Sequence, residues 1–149
     1  MIRNTTKKQK LGWVLLILYL ILLVYLMFFA ESFGRSPEAR DEYAYNLELF
    51  KEIRRFYIYR EQLGMKAFFL NIFGNVIGFM PGGFFLPVVS RRSRRWYNTV
   101  LLCFCLSLSI ETVQLIWKVG SFDVDDLFLN TLGGLIGYIC YRIVHTIRI

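Results

Sequence analysis

The sequence is poor in the side chains that activate nucleophiles or hold metals. Its 1 histidine is His145, near the C-terminus, so neither a Ser-His-Asp set nor an H-E-x-x-H zinc motif can be assembled. No glycine loop of the phosphate-cradling type occurs; the glycines recur at helix-packing intervals instead. The 3 cysteines, Cys103, Cys105 and Cys140, all lie in apolar stretches where oxidants and metals seldom reach, and Cys103 and Cys105 would point about 200° apart on a helix. They read as small apolar fillers. No metal or cofactor motif remains, which leaves carboxylates and amides as the only candidate chemistry.

Hydrocarbon dominates what is there. Hydrophobic residues make up 56% and aromatic residues 17% of the 149 residues, and the mean hydropathy is positive. The apolar residues fall into four blocks, Leu11 to Ala30, Ala67 to Val89, Tyr97 to Trp117 and Leu127 to Val144. A membrane span needs about 20 residues at ~1.5 Å each, and all four blocks fit if Arg142 snorkels to the headgroups. The expected fold is therefore an all-α bundle of four transmembrane helices forming one domain over residues 11–149, behind a tail over residues 1–10. The first block is longer than a signal-peptide core and has no small-x-small cleavage site after it, so it reads as a retained, lipid-facing anchor.

A formal charge of +7 could suggest nucleic acid, but the basic residues are placed as a membrane protein places them. Arg3, Lys7, Lys8 and Lys10 precede the first span, Arg91, Arg92, Arg94 and Arg95 separate the second and third, and Arg142 and Arg148 close the chain. The positive-inside rule makes these stretches cytoplasmic, with N-in/C-in topology and the other two connections outside. The expected location is a cytoplasmic membrane, crossed several times. The RRSRR run is a topology determinant with room for contact to anionic lipid. Between the first two spans, Ser36-Pro37-Glu38 is a helix start, and Leu49, Phe50, Ile53, Phe56 and Tyr57 recur at helical spacing opposite Lys51, Glu52, Arg54 and Arg55. That pattern predicts an extracellular amphipathic helix lying on the membrane surface, either capping the bundle or touching a ligand.

Polar residues interrupt the later spans. Asn71, Asn75, Gly78 and Gly82 form one stripe at i, i+4, i+7 and i+11, with Gly74 suited to close helix approach and Pro81 expected to kink the span. Asp126, Asn130, Gly133 and Gly137 repeat that spacing 55 residues later, either as a true internal repeat or as convergent packing. Between them Ser107, Glu111 and Gln114 share a face. A carboxylate in hydrocarbon is costly and needs compensation, which makes Glu111 the residue to explain. Counting at helical rise puts Glu111, Asn71 and Asn130 at one level, about 9 Å inside the outer boundary, with Asp123 and Asp126 at the rim. The expected result is an outward-facing polar cavity lined by Asn71, Asn75, Glu111, Gln114 and Asn130. A neutral Glu111 bonded to an asparagine would merely hold the bundle; a cavity would bind a polar headgroup or peptide; Glu111 with Asp126 could alternatively serve a hydrolase or transferase. The glycine stripes suit contacts within one chain or between copies in a homo-oligomer.

At these residues the sequence resembles the VanZ-like family of bacterial membrane proteins, named for an accessory protein associated with resistance to the glycopeptide teicoplanin. The resemblance spans about Asn46 to Tyr138 and rests on Asn46-Leu47-Glu48-Leu49-Phe50, the block GNVIGFMPGGFFLP, the pair Glu111 and Gln114, and Gly120, Asp123, Asp126, Asn130, Gly133 and Gly137. Two departures are Leu49, where many relatives have proline, and Lys118, the nearest stand-in for an arginine ahead of the aspartates. The resemblance implies four membrane helices and lowered teicoplanin susceptibility, and it implies no reaction. It suits a non-enzymatic protein whose cavity engages a lipid-linked cell-wall precursor or the acyl chain of a lipoglycopeptide, with a structural partnership to another membrane protein as the other course.

Overall fold

The computed structural model describes residues 6–29 and 42–147. In chain order these form α1 (Lys7–Phe29), β1 (Ala44–Asn46), α2 (Lys51–Ile58), α3 (Arg60–Leu63), α4 (Met65–Val89), a 3-10 turn at Arg92–Arg94, α5 (Trp96–Trp117), β2 (Ser121–Asp123) and α6 (Val124–Ile147). Helices α1, α4, α5 and α6 are each long and apolar enough to cross a membrane, so the protein is a multi-pass, all-α membrane protein. The expected helix start at Ser36-Pro37-Glu38 lies outside the described residues.

All four long helices begin earlier than hydropathy suggests, α1 and α6 by the most, because caps rather than apolarity set the starts of those two. Thr6 and Gln9 form a reciprocal capping box, the Thr6 hydroxyl accepting from Gln9 N–H at 3.2 Å and the Gln9 side-chain Oε1 accepting from Thr6 N–H at 3.1 Å, which carries α1 back to Lys7. Asp123 caps α6, its Oδ1 accepting from Asp125 N–H at 2.8 Å, which brings Asp125 and Asp126 into the first turn, where negative charge suits the helix dipole. At the other end of that connection Lys118 takes a left-handed conformation, φ 57°, and closes α5 as a C-terminal cap.

Helix α4 touches all three other long helices, packing most extensively on α6 and next on α1, and α6 packs on α5 as well. Bare glycine backbone permits the α4–α6 approach. A Cβ on Gly133 would lie 2.2 Å from the Val76 carbonyl oxygen, one on Gly137 2.0 Å from that of Met80, and one on Gly83 1.9 Å from that of Gly134. These separations lie far inside van der Waals contact, so no side chain of any size fits. Gly78 and Gly82 instead face Met27 and Tyr19 of α1. The glycines of the two matched stripes thus do not face each other: those of α6 receive α4, and those of α4 receive α1. Helix α4 runs unbroken through Pro81 and Pro87.

The structure adds to the expectation for α1, read as a lipid-facing anchor. One stripe of it, Gly12, Leu16, Tyr19, Leu23 and Met27, is buried, and its four larger side chains pack in the core with Phe79, Cys103 and Ile110, while most of its remaining surface stays exposed. A second addition is the β pair. Strands β1 and β2 run parallel, Ala44 opposite Ser121, Tyr45 opposite Phe122 and Asn46 opposite Asp123. Together with α2 they cover one end of the bundle, and the arginine turn at Arg92–Arg94 marks the other.

Candidate functional site

At the β-pair end a group of polar side chains is enclosed between helices. Ser107, Glu111 and Gln114 of α5 and Asn130 of α6 are each 1% exposed or less, and Asn75 of α4 and Asp126 of α6 are buried with them. Helical spacing accounts for the grouping: i, i+4 and i+7 put the α5 side chains on one face, and i, i+4 does the same for Asp126 and Asn130. Asn75 Nδ2 donates to Asp126 Oδ1 at 2.6 Å, and Asn130 Nδ2 to Ser107 Oγ at 2.9 Å. Gln114 Nε2 donates to the Met27 carbonyl at 2.7 Å, which ties α1 to α5. Asn71 is only half-buried and stands apart from these bonds.

Glu111 reaches toward the surface connection, not into lipid. Its Oε2 accepts the backbone N–H of Asp123 at 3.1 Å, so the carboxyl that hydropathy makes expensive holds the strand leading into α6. Asp123 in turn accepts from Asn46 Nδ2 at 3.0 Å. Burial raises the Asp123 carboxyl above its ordinary range, while the bonds from Asp125 N–H and Asn46 pull the other way. Glu52 is likewise raised by burial and partly offset by Arg55, with which it forms an ion pair at 2.7 Å.

Asp125 was not among the residues expected to matter, yet it forms much of the junction. Its Oδ1 accepts the Phe50 N–H, and its Oδ2 accepts those of Glu52 at 2.8 Å and Ile53 at 3.1 Å. A carboxylate from α6 therefore caps α2 in trans, satisfying amides that no residue of α2 itself covers. Phe50 turns into this cap with a left-handed φ of 66°, and its ring meets Phe128 edge-on at 5.5 Å. Lys118 lies with its ammonium 4.7 Å from the ring centre of Tyr43.

The polar side chains thus meet between α4, α5 and α6 as the spacing predicts, but they lie sealed beneath β1, β2 and α2 where an open hollow was expected. Chemically the enclosure is rich in acceptors. Gln114 Oε1 and Asn130 Oδ1 find no hydrogen-bond donor among the described residues, and a buried acceptor left without one costs about 1–3 kcal/mol. Among the described residues no group of His, Cys, Asp and Glu is arranged as a metal site.

A family model described as VanZ/LLP1 matches residues 16–145. Among curated proteins the chain is similar to one named Protein VanZ from Enterococcus faecium, 28% identical over 132 residues that make up 85% of this chain and 71% of that protein. No solved structure matches the chain.

Proposed function

The chain belongs to the VanZ/LLP1 family, and on that footing we propose that it is a non-enzymatic binder that lowers teicoplanin susceptibility, taking the donor-rich head of a lipid-linked cell-wall precursor, or of a lipoglycopeptide, into the polar enclosure between α4, α5 and α6. The observation that supports this reading is the excess of buried acceptors, with Gln114 Oε1 and Asn130 Oδ1 lacking donors among the described residues. Sugar hydroxyls and peptide N–H groups are donors of the required kind. Entry requires β1 and α2 to part from α6, and the bonds that oppose this are the three-residue β pair and the Asp125 cap. In this reading the β-pair end faces outward, as the distribution of lysine and arginine favours.

Native mass spectrometry of the purified chain with a lipid-linked wall precursor tests the binding step. The wild type is expected to retain precursor above a phospholipid background and release it unchanged. Glu111→Gln keeps an acceptor for the Asp123 N–H while removing the titratable carboxyl, and it should keep the fold and weaken retention. Equal retention of precursor and phospholipid would overturn the binding reading, and conversion of the precursor that Glu111→Gln abolishes would replace it with a hydrolase or transferase. Expression in a teicoplanin-sensitive host should raise the inhibitory concentration, an effect that Glu111→Gln should diminish.

Topology can be checked separately with a membrane-impermeant maleimide. Cysteines at Tyr43 and Arg91, both exposed, should label from outside the cell and only after lysis, respectively. Ser93, which belongs to the same turn as Arg91, is unsuitable because it is 1% exposed. The reverse pattern would put the enclosure on the cytoplasmic side.

A further inference from the structure

The end of the bundle opposite the enclosure carries a cluster of charge with no counterpart. Arg91, Arg92, Arg94 and Arg95 are exposed on the 3-10 turn between α4 and α5. All 11 acidic residues lie between Glu31 and Asp126, and the stretches that converge here, the start of α1, the end of α4, the start of α5 and the end of α6, contain none. Gly12 beside Val88 fixes the first of these junctions and Tyr138 beside Arg94 the last.

A positive-inside signal needs only charge, and an unstructured loop supplies it. This turn is instead held at three consecutive carbonyls. Asn98 Nδ2 donates to the Arg92 carbonyl at 2.8 Å, the buried Thr99 hydroxyl to that of Ser93 at 2.6 Å, and the Tyr138 hydroxyl, from α6, to that of Arg94 at 2.7 Å. Ser93 points inward, 1% exposed, which directs the flanking arginines outward. Arg95 Nη1 donates to the Tyr97 hydroxyl at 2.8 Å. Beside the turn, Trp96 and Tyr97 are exposed on the first turn of α5, where amphipathic rings settle at headgroup depth. No side chain caps the N-terminus of α5, so its first amides and its dipole add to the positive field.

We propose that the Arg91–Arg95 turn is a preorganised binding site for the phosphate of an anionic phospholipid headgroup. The guanidinium forks suit phosphate oxygens in a way that single ammonium charges do not. Fixing the backbone beneath them lowers the ordering cost of binding. This site is independent of the enclosure at the other end.

The test is native mass spectrometry of the full chain, delipidated in detergent and titrated with phosphatidylglycerol or phosphatidylcholine, with inorganic phosphate as competitor. Phosphatidylglycerol should bind more tightly than phosphatidylcholine, and millimolar phosphate should not displace it. Arg92→Gln with Arg94→Gln should weaken phosphatidylglycerol by about 30-fold, two near-surface charges having been removed. The decisive variants keep every arginine: Asn98→Ala and Tyr138→Phe each release one carbonyl clamp and should weaken binding by about threefold, with thermal unfolding confirming an intact bundle. Equal affinity for the two lipids would overturn the proposal. So would clamp variants that stay folded and bind as the wild type does, since charge alone would then account for the preference. Displacement by free phosphate would show a soluble anion, not a headgroup, as the occupant.

Discussion

Gly137→Ala is expected to abolish stable assembly of the bundle, and Gly133→Ala to do nearly as much damage. At each position the added methyl would meet a carbonyl oxygen of α4, at 2.0 Å from Met80 and 2.2 Å from Val76. Rotamer changes cannot relieve a clash between backbone and Cβ, so the whole α4–α6 contact must open. Overpacking in a close-packed interior costs typically 1–3 kcal/mol where side chains can adjust; here they cannot, and a loss of at least about 3 kcal/mol is expected. Helix pairs in lipid are held by just this kind of close packing, without a hydrophobic force to restore them. Thermal unfolding in mild detergent should show the loss directly. Gly78→Ala provides the contrast, since its Cβ would lie 3.9 Å from the Met27 methyl and should change stability by less than about 0.5 kcal/mol. Similar behaviour of the α6 variants and Gly78→Ala would show that the helices do not approach as described.

Asp125→Ala should release α2 from the bundle while leaving the four long helices together. Three backbone amides, of Phe50, Glu52 and Ile53, donate to this one carboxylate. Hydrogen bonds to a charged acceptor contribute about 1.5–3 kcal/mol apiece when isolated, but amides at this surface regain water when freed. A net cost of about 2–4 kcal/mol, confined to the cap, follows from that offset. Hydrogen exchange reads it residue by residue: the three amides should lose protection in Asp125→Ala, while those in the middle of α4 and α6 keep theirs. Asp125→Asn should fall between, because one amide oxygen can still accept. If binding in the enclosure requires the cap to part, as proposed above, Asp125→Ala should also quicken ligand entry. Unchanged protection at Phe50, Glu52 and Ile53 would remove Asp125 from this role.

The four spans were legible because run length is the whole signal for a membrane helix, and helical spacing was enough to bring Asn75, Glu111, Gln114, Asp126 and Asn130 to one place between α4, α5 and α6. Asp125 escaped notice for a reason of distance. It falls off the Asp126 stripe, and its donors lie up to 75 residues away, so nothing in its own neighbourhood distinguishes it from a solvated surface carboxylate. The trace it left was indirect: Asn46 and Phe50 belong to the element that carries the family resemblance, and they turn out to bond Asp123 and Asp125. Strands β1 and β2, at 3 residues each, are too short to show any alternation. Gly83 and Gly134 were overlooked since each stands one place beside the stripe that the i, i+4, i+7, i+11 template selects. The doublets Gly82-Gly83 and Gly133-Gly134 were the available hint, as two adjacent glycines admit neighbours on two faces of a helix.

The ladder between β1 and β2 has a bearing on biogenesis. Residues 44–46 leave the ribosome long before residues 121–123, so the earlier strand must wait at the membrane surface, unpaired, while two further long helices, α4 and α5, are threaded into lipid. Until α6 arrives, Glu111 has no Asp123 amide to receive and α2 no carboxylate over its first turn. A chain arrested after three helices therefore displays an acid still short of its Asp123 amide and a frayed surface segment together, and the completed one hides both. The last helix to be made is the one that completes the fold, and quality-control proteases that survey the bilayer would meet a clear difference between the half-built and the finished molecule.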